Sequence, residues 1–251
     1  MQWVLAYNRG MITVAEVSSF LEQWAAPDLA ADWDNVGLQI GTRHAEVTEI
    51  VIAMDADDVV LDYLKDKQQV LVITHHPLFF KGLKQLRYDQ EMGRIVRAFV
   101  TGNHCLYSAH TNLDAAEGGV NDCLVQAYGL DPKQGAIISA GFGKVFTGLD
   151  LEFRTFLKTH SCIQEGARFD TPVQKVAFCC GSGHGFIQNV IDLDCDTLVT
   201  GEINYHDHLR CQMNGVRVLR LGHKESEVFV LAEIKARLAD IFPEVPCHIL
   251  T

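Results

Sequence analysis

Positive charge is scarce in this chain: 21 Lys and Arg stand against 32 Asp and Glu, for a net charge of −11. An affinity resting on neutralised phosphate backbones is therefore not expected, and nucleic acid is set aside as a partner. Long apolar runs are also missing. None reaches the roughly 18–20 residues that span a bilayer, so no membrane segment is expected. The first ten residues lack a basic stretch followed by a long apolar one, and Met1–Gly10 reads as a loose arm, not a signal peptide. Cysteine is present, but not in metal-binding spacing. The eight cysteines include no C-x-x-C pair, which argues against a thiolate zinc ribbon. Most lie inside apolar runs as small buried hydrophobes, and their spacing does not resemble a secreted disulfide framework. A reduced, cytoplasmic compartment is the expectation. At 48% hydrophobic and 21% charged, 251 residues are ample for one large domain or two small ones.

What the chain does have is α/β patterning. Thr13-Val14-Ala15-Glu16 has the capping-box form, and Val14, Val17, Leu21 and Trp24 recur at helical spacing, so a first helix is predicted up to Ala26. Buried strands are predicted at Ile50–Met54, at Val70–Thr74 and at Cys105–Ala109. Helices are predicted through Val59–Leu64, over Glu91–Val100 and within Gly118–Leu130. This order, β-α-β-α-β, predicts a largely parallel sheet. Asp32–Gln39 reads as a structured turn around Trp33 and Gly37. In the second half, strands are expected at Lys144–Leu151, Val173–Cys179, Asp196–Thr200 and Val216–Leu221. Helices are expected near Phe153–Thr159, around Tyr205–His208, and as one long element after Gly222. Asp131–Gly143, with Pro132 and three glycines, is the best internal boundary.

The stretch Val70–Phe80 organises the rest. Its apolar run ends in His75-His76-Pro77, and buried α/β strands commonly deliver functional side chains at their carboxyl ends. Neighbours on a regular strand point to opposite faces. Two adjacent histidines are thus better placed to hold one ion each where the strand breaks, which suggests a two-metal centre with ions roughly 3.5–4 Å apart. Plain hydrogen bonding at a strand end is the alternative. His110 and Asp114 follow a buried strand in the same way; if the strands are parallel neighbours, Asp114 could join the histidines and His110 could orient a ligand. On the final helix, Leu231, Ile234, Leu238 and Ile241 form one apolar stripe that His223 and Glu227 extend, and a His and a Glu four residues apart can converge on one ion. A solvated first turn is the alternative there. Gly181–Gly185 reads either as an anion-binding turn or as a plain tight one. Glu202 and His206 follow another strand and either line a cleft or cap a helix.

Together and in order, His75-His76-Pro77, His110-Thr111-Asn112-Leu113-Asp114, Gly201-Glu202, and Gly222-His223 with Glu227 resemble the motifs of the NIF3-like family, also called GTP cyclohydrolase 1 type 2 homologues. Trp33–Gln39 and Cys180-Gly181-Ser182-Gly183 match as well, so the resemblance runs from about Thr13 to the C-terminus. It implies an α/β fold of two lobes with largely parallel or mixed sheets packed around a central metal cleft, and a toroidal homohexamer. Residues 11–130 with 222–251 would form the first lobe and 131–221 the second. His75, His76, Asp114, His223 and Glu227 would be the ligands of two divalent metal ions, with Glu227 bridging. A mixed His and carboxylate set suits Zn, Fe, Mn or Ni. His110 or Glu202 would move protons in a hydrolase acting on a small nucleotide-like or heterocyclic molecule. A metal-containing hexameric scaffold that recruits a protein partner is the alternative. Some members carry a large insert between the halves, for which this chain is too short. Lys224 stands where many members have an aromatic residue or His.

Overall fold

The computed structural model describes residues 11–151, 163–165 and 172–251. They divide into two compact units: one ends at His110 and resumes at Ile234, and the other runs Thr111–Glu233. The sequence-based lobe boundaries lie instead at 130/131 and 221/222. The second unit therefore takes in 111–130 and 222–233 as well, and residues of both stretches are tied to its sheet: Asn121 Oδ1 accepts from the Cys180 amide at 3.0 Å, and Ser226 Oγ from the Gly181 amide at 2.8 Å.

The first unit is built on β3 (Val70–Thr74), buried at every residue. A strand covered on both faces needs a continuous apolar run, and that is what the sequence supplies. Its parallel neighbours are β2 (Glu49–Ala53) and β4 (Cys105–Ser108). Two short edge strands not foreseen complete the sheet. β1 (Gly37–Ile40) runs antiparallel beside β4, and β11 (Cys247–Ile249) runs parallel beside β2. The capping box holds α1 (Val14–Trp24), with Glu16 Oε2 accepting from the Thr13 amide at 2.8 Å. Asp57 caps α2 (Asp58–Leu64) by accepting from the Val59 and Val60 amides. From α2 and from α3 (Glu91–Thr101), Val60, Leu64, Ile95 and Phe99 pack with Val51, Ala53, Val70 and Val72 in one core. Three parallel strands end at one edge, and the next residues in the chain are Met54-Asp55, His75-His76 and Ala109-His110. The ladder extends beyond the strands proper: His75 N donates to Ala53 O at 3.2 Å, His76 N to Met54 O at 3.0 Å, and Ala109 N to Thr74 O at 3.0 Å.

The second unit holds a six-stranded mixed sheet. Its strands are β5 (Ala136–Ile138), β6 (Gly143–Leu151), β7 (Ile163–Glu165), β8 (Val173–Ser182), β9 (Thr197–Glu202) and β10 (Arg217–Arg220), in the order β5-β6-β8-β9-β10-β7. Among the described residues of this sheet, only β8, β9 and β10 pair in parallel. The predicted helix at Phe153–Thr159 lies outside the described residues. Short helices α4 (Thr111–Ala115) and α5 (Val120–Ala127) open the unit, and α6 (Ile187–Asp192) and α7 (Tyr205–Met213) follow β8 and β9. The final helix is not continuous. It is split into α8 (His223–Glu227) and α9 (Val230–Ile241). Leu231, Ile234 and Leu238 are buried as the stripe predicts, whereas Ile241 is exposed. No helix among the described residues is long and apolar enough to cross a membrane.

Candidate metal centre

In the first unit, His75, His76 and His110 come together. One ligand atom from each lies within 4.8 Å of the others'. The two neighbouring rings do not diverge as on a regular strand: their centroids are 5.1 Å apart, because both residues lie beyond the end of β3. Each imidazole is fixed through Nδ1. His75 donates to the Ala109 carbonyl at 2.9 Å, His76 to Asp55 at 2.8 Å, and His110 to Asp34 at 2.9 Å. A carbonyl or carboxylate oxygen can only accept, so Nδ1 carries a proton, and in the neutral ring that leaves the lone pair on Nε2.

The second unit carries the predicted acidic residues. His223 repeats the pattern, with Nδ1 donating to Glu202 Oε1 at 3.1 Å. Its Nε2 lies 3.4 Å from Glu227 Oε1, as expected for residues four apart on one helix. Glu227 is buried. Between the pairs Cys179–Thr200 and Ser182–Glu202, β8 carries one residue more than β9, and this bulge contains Cys180 and Gly181. Gly181 has φ +55°, and a Cβ there would collide with Glu227 Oε1. The bulge thus brings backbone close to this carboxylate, and a side chain at 181 would require the Glu227 carboxylate to move. Asn121 links Asp114 to the same bulge, its Nδ2 donating to the Asp114 carbonyl at 3.1 Å. Cys180 Sγ donates to Asp114 Oδ1 at 3.4 Å. Burial first, then the charges of Asp114 and Glu227, push the Cys179 and Cys180 thiols well above their ordinary range. His206 lies on α7.

These residues fit a divalent cation. Metal-binding histidines almost always donate their second ring N–H to a carboxylate or carbonyl, which sets the tautomer and aims the ring. His75, His76, His110 and His223 all do so. Asp34 and Asp55 were not singled out from the sequence as partners of histidines. A signal for Asp55 was available, since it follows a buried parallel strand just as His75 does.

An α/β protein of this kind, with His and carboxylate clusters that could hold a metal ion, is by fold and site a candidate metalloprotein. The chain belongs to the Duf34/NIF3 (NGG1p interacting factor 3) family, whose model matches residues 12–251. It is 29% identical over 237 residues to a GTP cyclohydrolase 1 type 2 homolog of Clostridium perfringens, covering 90% of each chain. It is 31% identical over 241 residues to NIF3-like protein 1 of Drosophila melanogaster, covering 90% of this chain and 82% of that one. Among solved structures, the hypothetical protein SA1388 of Staphylococcus aureus superposes with a TM-score of 0.85 at 25% identity, over 96% of this chain and 97% of that one. Family and two-sheet α/β fold are therefore as the sequence motifs implied.

Proposed function

We propose that the chain is a metal-dependent hydrolase in which His75, His76, Asp114, His223 and Glu227 would hold two divalent cations. The observation that carries this reading is the shared tautomer of the histidines, each with Nδ1 engaged by an oxygen acceptor. When bound, such cations supply Lewis acidity and make water nucleophilic near neutral pH. The donor set suits Zn, Fe, Mn or Ni and does not select among them.

The chain's own groups supply orientation and proton transfer. The Ala109 carbonyl, Asp55 and Glu202 hold their imidazoles in fixed orientations. His110, held by Asp34, presents Nε2 as a proton acceptor beside the other two histidines. Glu202 is the second proton-transfer group, with an exposed carboxylate whose Oε1 also orients His223. The family resemblance adds a toroidal homohexamer, and the cysteine spacing a reduced, cytoplasmic compartment.

The names of the relatives suggest GTP, or another small heterocyclic molecule, as the substrate. Purified protein supplied with each candidate cation should consume GTP, and chelator should stop it. Cation-loaded protein that leaves GTP and related heterocycles unchanged would contradict the hydrolase and favour a scaffold that holds its cations for assembly.

A further inference from the structure

We propose that Trp33 and Phe80 form a stacking subsite for a planar heteroaromatic ring beside the histidine cluster. The proposal deepens the hydrolase reading and rests on it for what the bound ring undergoes. Trp33 is 61% exposed and Phe80 49% exposed. A lone aromatic on a surface needs no explanation, but these two stand together, with centroids 5.6 Å apart at 60°. Both approach His110, at 6.2 and 6.4 Å, and His110 in turn lies 5.2 Å from His75 and 5.8 Å from His76. Five rings thus run continuously from solvent to the candidate ligands.

The two aromatics are held in place by their neighbours. Asp34 has a side chain with 0% exposure and accepts from His110, which anchors the residue next to Trp33. Asn35 Nδ2 donates to Phe79 O at 2.7 Å, and Gln39 Oε1 accepts from Phe79 N at 3.2 Å. Gln39 Nε2 closes the latch by donating to Asn35 O at 2.8 Å. Two side-chain amides therefore clamp the segment before Phe80 to the segment after Trp33. Rings ordered in advance lose little freedom when a ligand arrives. Their faces suit a flat ring, which stacks on aromatic side chains whatever its hydrogen-bonding edge.

The test is equilibrium dialysis of the full chain, stripped with chelator, against guanosine, cytidine and ribose. Guanosine should bind saturably and ribose should not. Trp33→Ala and Phe80→Ala should each weaken guanosine binding roughly ten- to hundredfold, and Trp33→Phe should retain most of it. Both side chains are exposed, so melting temperatures should match the wild type. Failure of the wild type to bind either nucleoside, or Trp33→Ala binding guanosine as tightly as the wild type, overturns the subsite. Cation content measured in parallel separates the two readings. Ring binding by a chain that never takes up cations leaves the subsite standing and removes the hydrolase; cations without ring binding do the reverse.

Discussion

Asp114→Asn is expected to abolish cation-dependent turnover and lower cation content while the chain stays folded. Asn is nearly isosteric with Asp and can still accept from Cys180, so the contact at 3.4 Å survives. The Asp114 carbonyl bond to Asn121, at 3.1 Å, is made by backbone and is indifferent to the change. What is lost is one negative charge and one anionic donor. Changing an outer partner of a metal ligand already costs roughly 10–100-fold in affinity or activity, and losing a ligand's charge should cost at least as much. Turnover, cation content and circular dichroism on one preparation check this. Full turnover by a folded variant would remove Asp114 from the ligand set.

Arg217→Met is expected to destabilise the protein at neutral pH, by less than the roughly 3–5 kcal/mol seen when one partner of a fully buried ion pair is removed, because the Asp196 side chain is 30% exposed. Arg217 is 3% exposed. Its guanidinium reaches Asp196 Oδ1 at 2.5 Å and donates to the Pro172 carbonyl at 3.0 Å. Asp196 also accepts from the Gln174 and Lys175 amides at 2.8 and 2.7 Å. Burial alone would raise the Asp196 carboxyl. Hydrogen bonds from Thr197, from the two amides and from Arg217 outweigh it and hold the group below its usual value. A depressed folded value stabilises above the unfolded pKa of about 4, and that stability is lost as pH falls through the folded value. The gap between wild type and variant in denaturant unfolding should therefore be wide at pH 7 and narrow in acid below pH 4. An equal gap at both pH values would contradict the pairing.

The strand-end histidines were legible because a strand buried on both faces leaves an unbroken apolar run, and His75 marks where it stops. The capping box of α1 was legible because both partners lie within four residues. β1 was not: its four residues are all half-buried, so no alternation marks it, and it reads as a turn. The break between α8 and α9 was hidden because Val228 and Phe229 supply neither Gly nor Pro to announce it. The clamp on Trp33 depends on Asn35 and Gln39 reaching Phe79, some forty residues away, and no local pattern encodes such a contact. The partners of His76 and His110 likewise depend on which strands pair and in what register.

The central claim is that the histidines and carboxylates of one chain hold a pair of cations. Elemental analysis of purified, fully folded protein measures it most directly. The account predicts close to two divalent metal ions per chain, falling when His75 or Glu227 is replaced. A value near zero in folded wild-type protein supplied with Zn, Fe, Mn and Ni would contradict it.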